Sequence, residues 1–269
     1  MSDKGIYTAL SGAIAQSQRL DTIANNIANS NTTGFKKDGQ TFREYLTAYE
    51  RPPEVIQVPK IPASIESFYD VQGGDRGYVD ASGTYTNFSQ GPLKQTGNNF
   101  DLALEGSGFF EVLTSSGVEL TRQGSFNIDA QGRLVNQNGF PVLRQGGQGE
   151  NPEARVINLK SPNITISYSG EIFEGAKEVG KISVLDFDNL DALQKIGSSR
   201  YQLKPNYNVN SIPVRAKVHQ GFLEGSNVNI IQEMTDMIAA SRTFESTQKA
   251  MKAFDEINSR LVNDIPKLR

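Results

Sequence analysis

The chain has 269 residues, 37% of them hydrophobic and 21% charged, enough for one substantial core and unlike a disordered polymer. A formal net charge of −3 and the lack of any long Lys/Arg run leave no electrostatic footprint for general nucleic-acid binding. With no cysteine, disulfides, thiolate metal sites and cysteine nucleophiles are excluded.

The N-terminus lacks a continuous apolar stretch, being broken by Gly12, Gln16, Gln18 and Arg19. It does not read as a cleavable signal peptide, and no apolar run approaches the length of a membrane span. Apolar or small residues instead recur at Ile6, Leu10, Ala13, Ser17, Leu20, Ala24 and Ile27, with the alternating four- and three-residue spacing of a coiled-coil seam. Turn chemistry from Asn29 through Gly34 stops this helix. Residues 46–80 carry Arg51-Pro52-Pro53, Pro59, Pro62 and Gly73-Gly74 and read as an extended connecting arm.

The middle of the chain changes period to short alternating runs: Leu102–Val112, Ser125–Ile128, Leu134–Val135, Val142–Leu143, Ile164–Tyr168 and Lys181–Phe187. Turn signals at Ser115–Gly117, Asp129–Gly132, Asn138-Gly139 and Ser169-Gly170 punctuate them. Such spacing predicts an antiparallel β domain. Helical period returns at Ile230, Met234, Met237, Ser241, Phe244, Met251, Phe254 and Leu261, with Asn229 and Gln232 as a capping pair. Both seams are weak, and two such helices alone bury too little apolar surface to offset their ordering entropy. Either they pack on the central domain as ordinary core helices, or they order fully only when copies assemble side by side. The second reading is preferred, because the seams sit at opposite chain ends.

Candidate chemistry fails its context. His219, the lone histidine, sits in a strand-like run with no nucleophile elbow before it. Gly175–Lys181 matches the spacing of a phosphate loop, but Ile182 stands where a hydroxyl should be and the lysine leads into a strand, so a β-turn is the better reading. Gly106-Ser107-Gly108 likewise runs on as strand and reads as a bulge or close backbone approach. Asp186, Asp188 and Asp191 lack the rest of a calcium loop and read as surface carboxylates flanking buried Phe187 and Leu190. No catalytic, cofactor or metal residue is assigned.

Three blocks, in order, resemble the flagellar rod and hook protein family: residues 24–37 (ANNIANSNTTGFKK), 91–112 (GPLKQTGNNFDLALEGSGFFEV) with 121–143 (TRQGSFNIDAQGRLVNQNGFPVL) following, and 220–245 (QGFLEGSNVNIIQEMTDMIAASRTFE). The resemblance implies an α+β fold with a discontinuous α-helical coiled-coil domain from the two termini and a central antiparallel β-rich domain. Its expected boundaries are 1–45 for the N-terminal helical segment, 46–80 for the arm, 81–224 for the β domain and 225–269 for the C-terminal helix. It implies a non-enzymatic subunit of the basal-body rod, crossing the periplasm, exported through the flagellar type III apparatus. Expected partners are other axial rod and hook subunits and copies of the chain itself, with no cofactor, nucleic acid or membrane insertion. Asn25, Asn26, Asn29, Thr33, Gly34 and Phe35, with Asn227, Met237, Arg242 and Glu245, are the positions the resemblance carries over. Together with the apolar seam residues they form the expected assembly interface. The opening Ile6–Gly12 and the segment Ser241-Arg242-Thr243-Phe244-Glu245 are more similar to proximal-rod members. Distal-rod members usually show Gln-Arg-Ala-Tyr-Glu at the latter place. Distal rod remains the alternative, an enzyme a remote one, and a soluble export chaperone would not need so large a β domain.

Overall fold

Helix α1 (Ser2–Ala28) is free of proline and ends where the sequence loses helical chemistry. The computed structural model describes residues 2–47, 76–147, 150–205, 207, 211–212 and 216–264. The arm expected over 46–80 lies at 48–75 outside the described residues. After α1 come β1 (Asp38–Thr47) and β2 (Arg76–Thr86), paired as a two-stranded ribbon.

Short strands then follow in chain order: β3 (Leu93–Gln95), β4 (Leu102–Glu105), β5 (Phe109–Thr114), β6 (Gly117–Thr121), β7 (Phe126–Ile128) and β8 (Leu134–Asn136). Next are β9 (Thr165–Ile166), β10 (Glu171–Glu174), β11 (Lys177–Lys181), β12 (Val184–Phe187), β13 (Leu193–Gly197) and β14 (Arg200–Leu203). The strands finish with β15 (Ser211–Ile212), β16 (Lys217–Gln220) and β17 (Phe222–Glu224), before helix α2 (Ile230–Asp264). Asn229 caps α2, its Oδ1 accepting from the Ile231 and Gln232 N–H groups at 3.1 and 3.3 Å. The chain therefore has two terminal helices and a central antiparallel β-rich region.

Two compact units divide these elements. One comprises residues 1–24, 40–84 and 234–269; the other comprises 25–39 and 85–233. In the second unit, β13-β14-β6-β5-β12-β15 form the largest sheet, and β11-β10-β9 form a smaller one. β16 pairs with β4, β17 with β3, and β7 with β8, all antiparallel. Alternation along β5 explains how one strand serves two cores. Phe109 joins Leu120, Phe187, Leu193 and Tyr201, while Phe110 points the other way into a cluster with Leu102, Phe126, Val142, Ile172 and Ile182. Phe110 meets Phe126 edge-on at 5.4 Å, and Phe109 meets Phe88 likewise at 5.5 Å.

The punctuation of the strands follows the turn residues. Ser115 and Ser116 join β5 to β6 with Thr114 opposite Gly117, and Ser169-Gly170 separates β9 from β10. The phosphate-loop lookalike is the β10–β11 hairpin turning at Gly175, whose φ of +62° suits a tight turn. Two expectations are corrected. Lys181–Phe187 is not one strand: Lys181 ends β11 and Val184 begins β12, so the chain changes sheets there, with Ile182 buried in the larger cluster. Asp186 is not a surface carboxylate. It is buried, accepts from the Ser107 hydroxyl and from the Phe187 N–H, and only Asp188 and Asp191 are exposed.

In the first unit, Ala13, Ala15 and Ile23 are the buried positions of α1, and Ile6, Ala9, Gln16 and Leu20 are half-buried. Leu10, Ser17 and Ala24 are exposed, so every second position of the expected seam falls one residue late. A side chain added at Gly12 would meet the Thr247 methyl of α2 at 4.0 Å. On α2 the covered positions are Glu233, Asp236, Met237, Ala240, Ser241, Phe244, Thr247, Met251, Phe254 and Asn258. Tyr7, Leu10, Ile14, Ile230, Ile231, Met234, Ile238 and Ile257 remain exposed.

Candidate functional site

The asparagine-rich exit from α1 builds a turn from its own side chains. Asn29 donates its backbone N–H and its Nδ2 to the Asn25 carbonyl, at 3.1 and 2.9 Å, and Thr32 Oγ1 donates to Asn29 Oδ1 at 3.1 Å. Gly34 follows at φ +67°, and its N–H reaches the Glu224 carbonyl at 2.8 Å. A Cβ there would sit 2.5 Å from the Gln123 nitrogen, so glycine is required both for the backbone angle and for the close approach. Phe35 is then buried beneath the Lys195 ammonium, 3.9 Å from its ring centroid.

Lys36, next in line, is fully buried and ends in an ion cluster. Its Nζ lies 2.6 Å from Glu224 Oε1 and 2.7 Å from the Ser89 carbonyl. Glu224 Oε2 accepts from Arg122 Nη1 at 3.2 Å, while Oε1 also takes the Gly91 N–H at 2.9 Å. Arg122 Nη2 donates to the Gly106 carbonyl at 2.7 Å, which employs the glycine turn between β4 and β5. Burial pushes both the Lys36 ammonium and the Arg122 guanidinium below their ordinary values, and Glu224 partly restores each. Nearby Tyr201 is pushed the other way by burial, and its hydroxyl finds no partner among the described residues.

A second polar layer surrounds this cluster. Asn26 is buried and exchanges two hydrogen bonds with Asp38: Nδ2 to its carbonyl at 2.9 Å, and its N–H to Oδ1 at 3.0 Å. The same Nδ2 lies 3.2 Å from Glu233 Oε2. The Asp38 carboxylate takes Thr86 Oγ1 at 2.7 Å and Lys195 Nζ at 2.9 Å. Asn227 closes a ring: its Oδ1 accepts the Lys37 N–H at 2.8 Å, its Nδ2 donates to the Asn87 carbonyl at 2.8 Å, and the Asn87 N–H returns to the Lys37 carbonyl at 2.9 Å. These contacts all lie within one compact unit.

The structure thus brings Asn25, Asn26, Asn29, Gly34, Phe35 and Asn227 into one neighbourhood, with Thr33 half-buried beside them. The helical candidates lie elsewhere. Ala13 is buried, and Ile6, Leu20, Ile27, Met237, Phe244, Met251 and Phe254 are half-buried. Leu10, Ala24, Ile230, Met234, Arg242 and Glu245 are exposed, and the Leu261 side chain lies outside those described. Sequence reasoning missed Lys36, Arg122, Glu224, Asp38, Lys195 and Glu233. The signal available was Arg122 and Glu224, single charges set among turn and apolar residues inside the very blocks that carry the resemblance. His219 sits on β16, bonded to Glu105 Oε2 at 2.7 Å, between the rings of Tyr168 and Phe222. Among the described residues no cluster of metal-ligating side chains occurs.

Comparison with known proteins agrees with this arrangement of blocks. Residues 6–36 match the flagella basal body rod protein family, residues 103–174 the flagellar hook protein FlgE/F/G D1 domain, and residues 219–264 the flagellar basal body rod FlgEFG protein C-terminal family. The flagellar basal-body rod protein FlgF of Caulobacter vibrioides is 34% identical over 266 residues, covering 99% of each chain. The FlgG rod protein of Bacillus subtilis is 32% identical over 97% of this chain and 98% of its own, and FlgF of Mesorhizobium japonicum is 31% identical over 92% and 91%. Similarity that runs the whole length, through the exit turn, the β unit and α2 alike, places the chain in the flagellar basal-body rod and hook family as a structural rod subunit.

Proposed function

We propose that the chain is a proximal-rod subunit, exported by the flagellar type III apparatus and assembled into the axial drive shaft where it crosses the periplasm. In this reading α1 and α2 form a discontinuous coiled-coil core domain, bounded by 1–45 and 225–269, and 81–224 is the β domain. Its partners are other axial subunits and further copies of the chain, and it turns over no substrate. The observation that carries the proposal is the contrast in apolar exposure. Large side chains stand out on the helices, with Ile231 78%, Ile238 56% and Tyr7 56% exposed, while Phe109 and Phe110 are fully buried. An apolar face of this kind marks an association surface. Repeating one heterologous helix contact builds a tube rather than a closed dimer, and many weak contacts then reinforce one another. The opening Ile6–Gly12 and the segment Ser241–Glu245 support the proximal position, with the distal rod as second reading.

The test is an Ile231→Asp, Ile238→Asp double variant with an epitope tag, followed by imaging of purified basal bodies. The expected result is a folded monomer that fails to enter the rod, while the tagged parent labels the segment next to the membrane ring. Incorporation of the variant sinks the assembly surface. Label near the hook replaces proximal by distal rod.

A further inference from the structure

Glu224 offers one carboxylate to two cations, and those cations come from different parts of the fold. Arg122 and the Gly91 N–H belong to the strand-rich stretch that also supplies both apolar clusters. Without residues 25–39 the carboxylate would still be balanced by one guanidinium and one amide, and the cores would keep every member they have. Lys36 is the late partner. In an undocked segment its ammonium is hydrated at no cost; docked, it is stripped of water and depends on Glu224 and the Ser89 carbonyl.

We infer that residues 25–39 dock onto the strand-rich core as a separately closing segment, with Lys36 as the latch and Glu224 as its catch. The remaining contacts are of the kind that form together. The Gly34 N–H meets the Glu224 carbonyl, the Lys37–Asn87–Asn227 ring closes, Lys195 bridges the Lys36 carbonyl to Asp38, and Asn26 ties Asp38 to Glu233. Phe35 is the one large apolar side chain the segment buries. A segment held by charges and amides around a single aromatic ring opens more easily than the sheets, as a cooperative unit of its own. Burial holds the Lys36 ammonium below its ordinary value, consistent with a seat that charge occupies only when every partner is present. The device lets the exit of α1 be released or secured without disturbing the β unit, whichever part of the rod the subunit occupies.

Hydrogen exchange by mass spectrometry on the full chain tests this. In Lys36→Met, the amides of 34–38 and of Asn87 should exchange roughly tenfold to a hundredfold faster, as loss of a charge-assisted contact implies, while β5, β6 and β12 keep their protection. Asn227→Ala, which leaves the ion cluster untouched, should give the same local pattern more weakly, and it carries the test if Lys36→Met does not fold. Equal loss of protection in β5 and β6 in either variant overturns the inference, because the segment would then be part of the core. Unchanged exchange at 34–38 in both variants overturns it as well.

Discussion

The β unit and the terminal helices use the same amino acids to opposite ends. In the β unit, large apolar side chains disappear into two clusters, and even a lysine, an arginine and the carboxylate they share are buried. On α1 and α2, isoleucine, methionine and tyrosine face outward along much of each helix. The difference teaches where folding ends and assembly begins. A sheet whose strands alternate can satisfy both faces within one chain, whereas a helix with a narrow covered stripe leaves apolar side chains exposed along the rest of its surface.

The sharpest way to break this comparison is to hollow each region in turn. Phe110→Ala should cost about 3–5 kcal/mol in chemical denaturation of the monomer, the range for a fully buried phenylalanine. Ile238→Ala, on the exposed face of α2, should change the same midpoint by less than about 0.5 kcal/mol. Equal losses would show that the helices contribute to the monomer core as much as the sheets do, and the division would fail. Gly34→Ala comes next. It combines a left-handed backbone with a Cβ 2.5 Å from backbone, and strain of about 1–3 kcal/mol should appear in a thermal melt with exchange rising first at residues 34–38.

An effect of similar size is expected from Asn26→Leu. It leaves the Asp38 N–H and carbonyl without their amide partner, at about 1–3 kcal/mol, and should loosen the start of α2 through Glu233. If α2 exchange is unchanged, the exit of α1 and the start of α2 are not coupled. The smallest effect concerns charge alone. The Glu105 carboxyl lies below its ordinary value, chiefly because of the hydrogen bond with His219 and then the Lys217 charge. A depressed folded value means that its contribution to stability is present above the unfolded value and lost as pH falls through the folded one. In His219→Ala the carbon-13 titration of Glu105 should move upward toward the ordinary value, with no change in the strand pairing of β16 and β4. An unmoved titration would assign the shift to Lys217.

Much of the fold was legible before any coordinates. Asn29 through Gly34 end a helix because their side chains compete for backbone groups, a local property that needs no tertiary partner. The Asn229 cap and the turns at Ser115–Gly117 and Ser169-Gly170 are local in the same way. The alternation of β5 was readable too, although Lys181–Phe187 was not, since a strand-like run does not reveal that it changes sheets midway.

The covered side of the helices was a closer decision than periodicity can make. Ala9 and Leu10, or Ile23 and Ala24, each give a plausible seam; α1 covers Ala9 and Ile23 and leaves Leu10 and Ala24 exposed. A helical turn of 3.6 residues places neighbouring positions on adjoining faces, so only the packed surroundings choose between them. The buried ion cluster is the strongest case. Lys36 and Arg122 stand 188 and 102 residues from Glu224 in the chain, and a charge is buried only where its partner is. The sequence by itself determined where the helices end and where the chain turns, because those depend on near neighbours. Which charges go inside, and which helix face is covered, was decided by tertiary structure, because desolvation is settled by whatever surrounds a group in space.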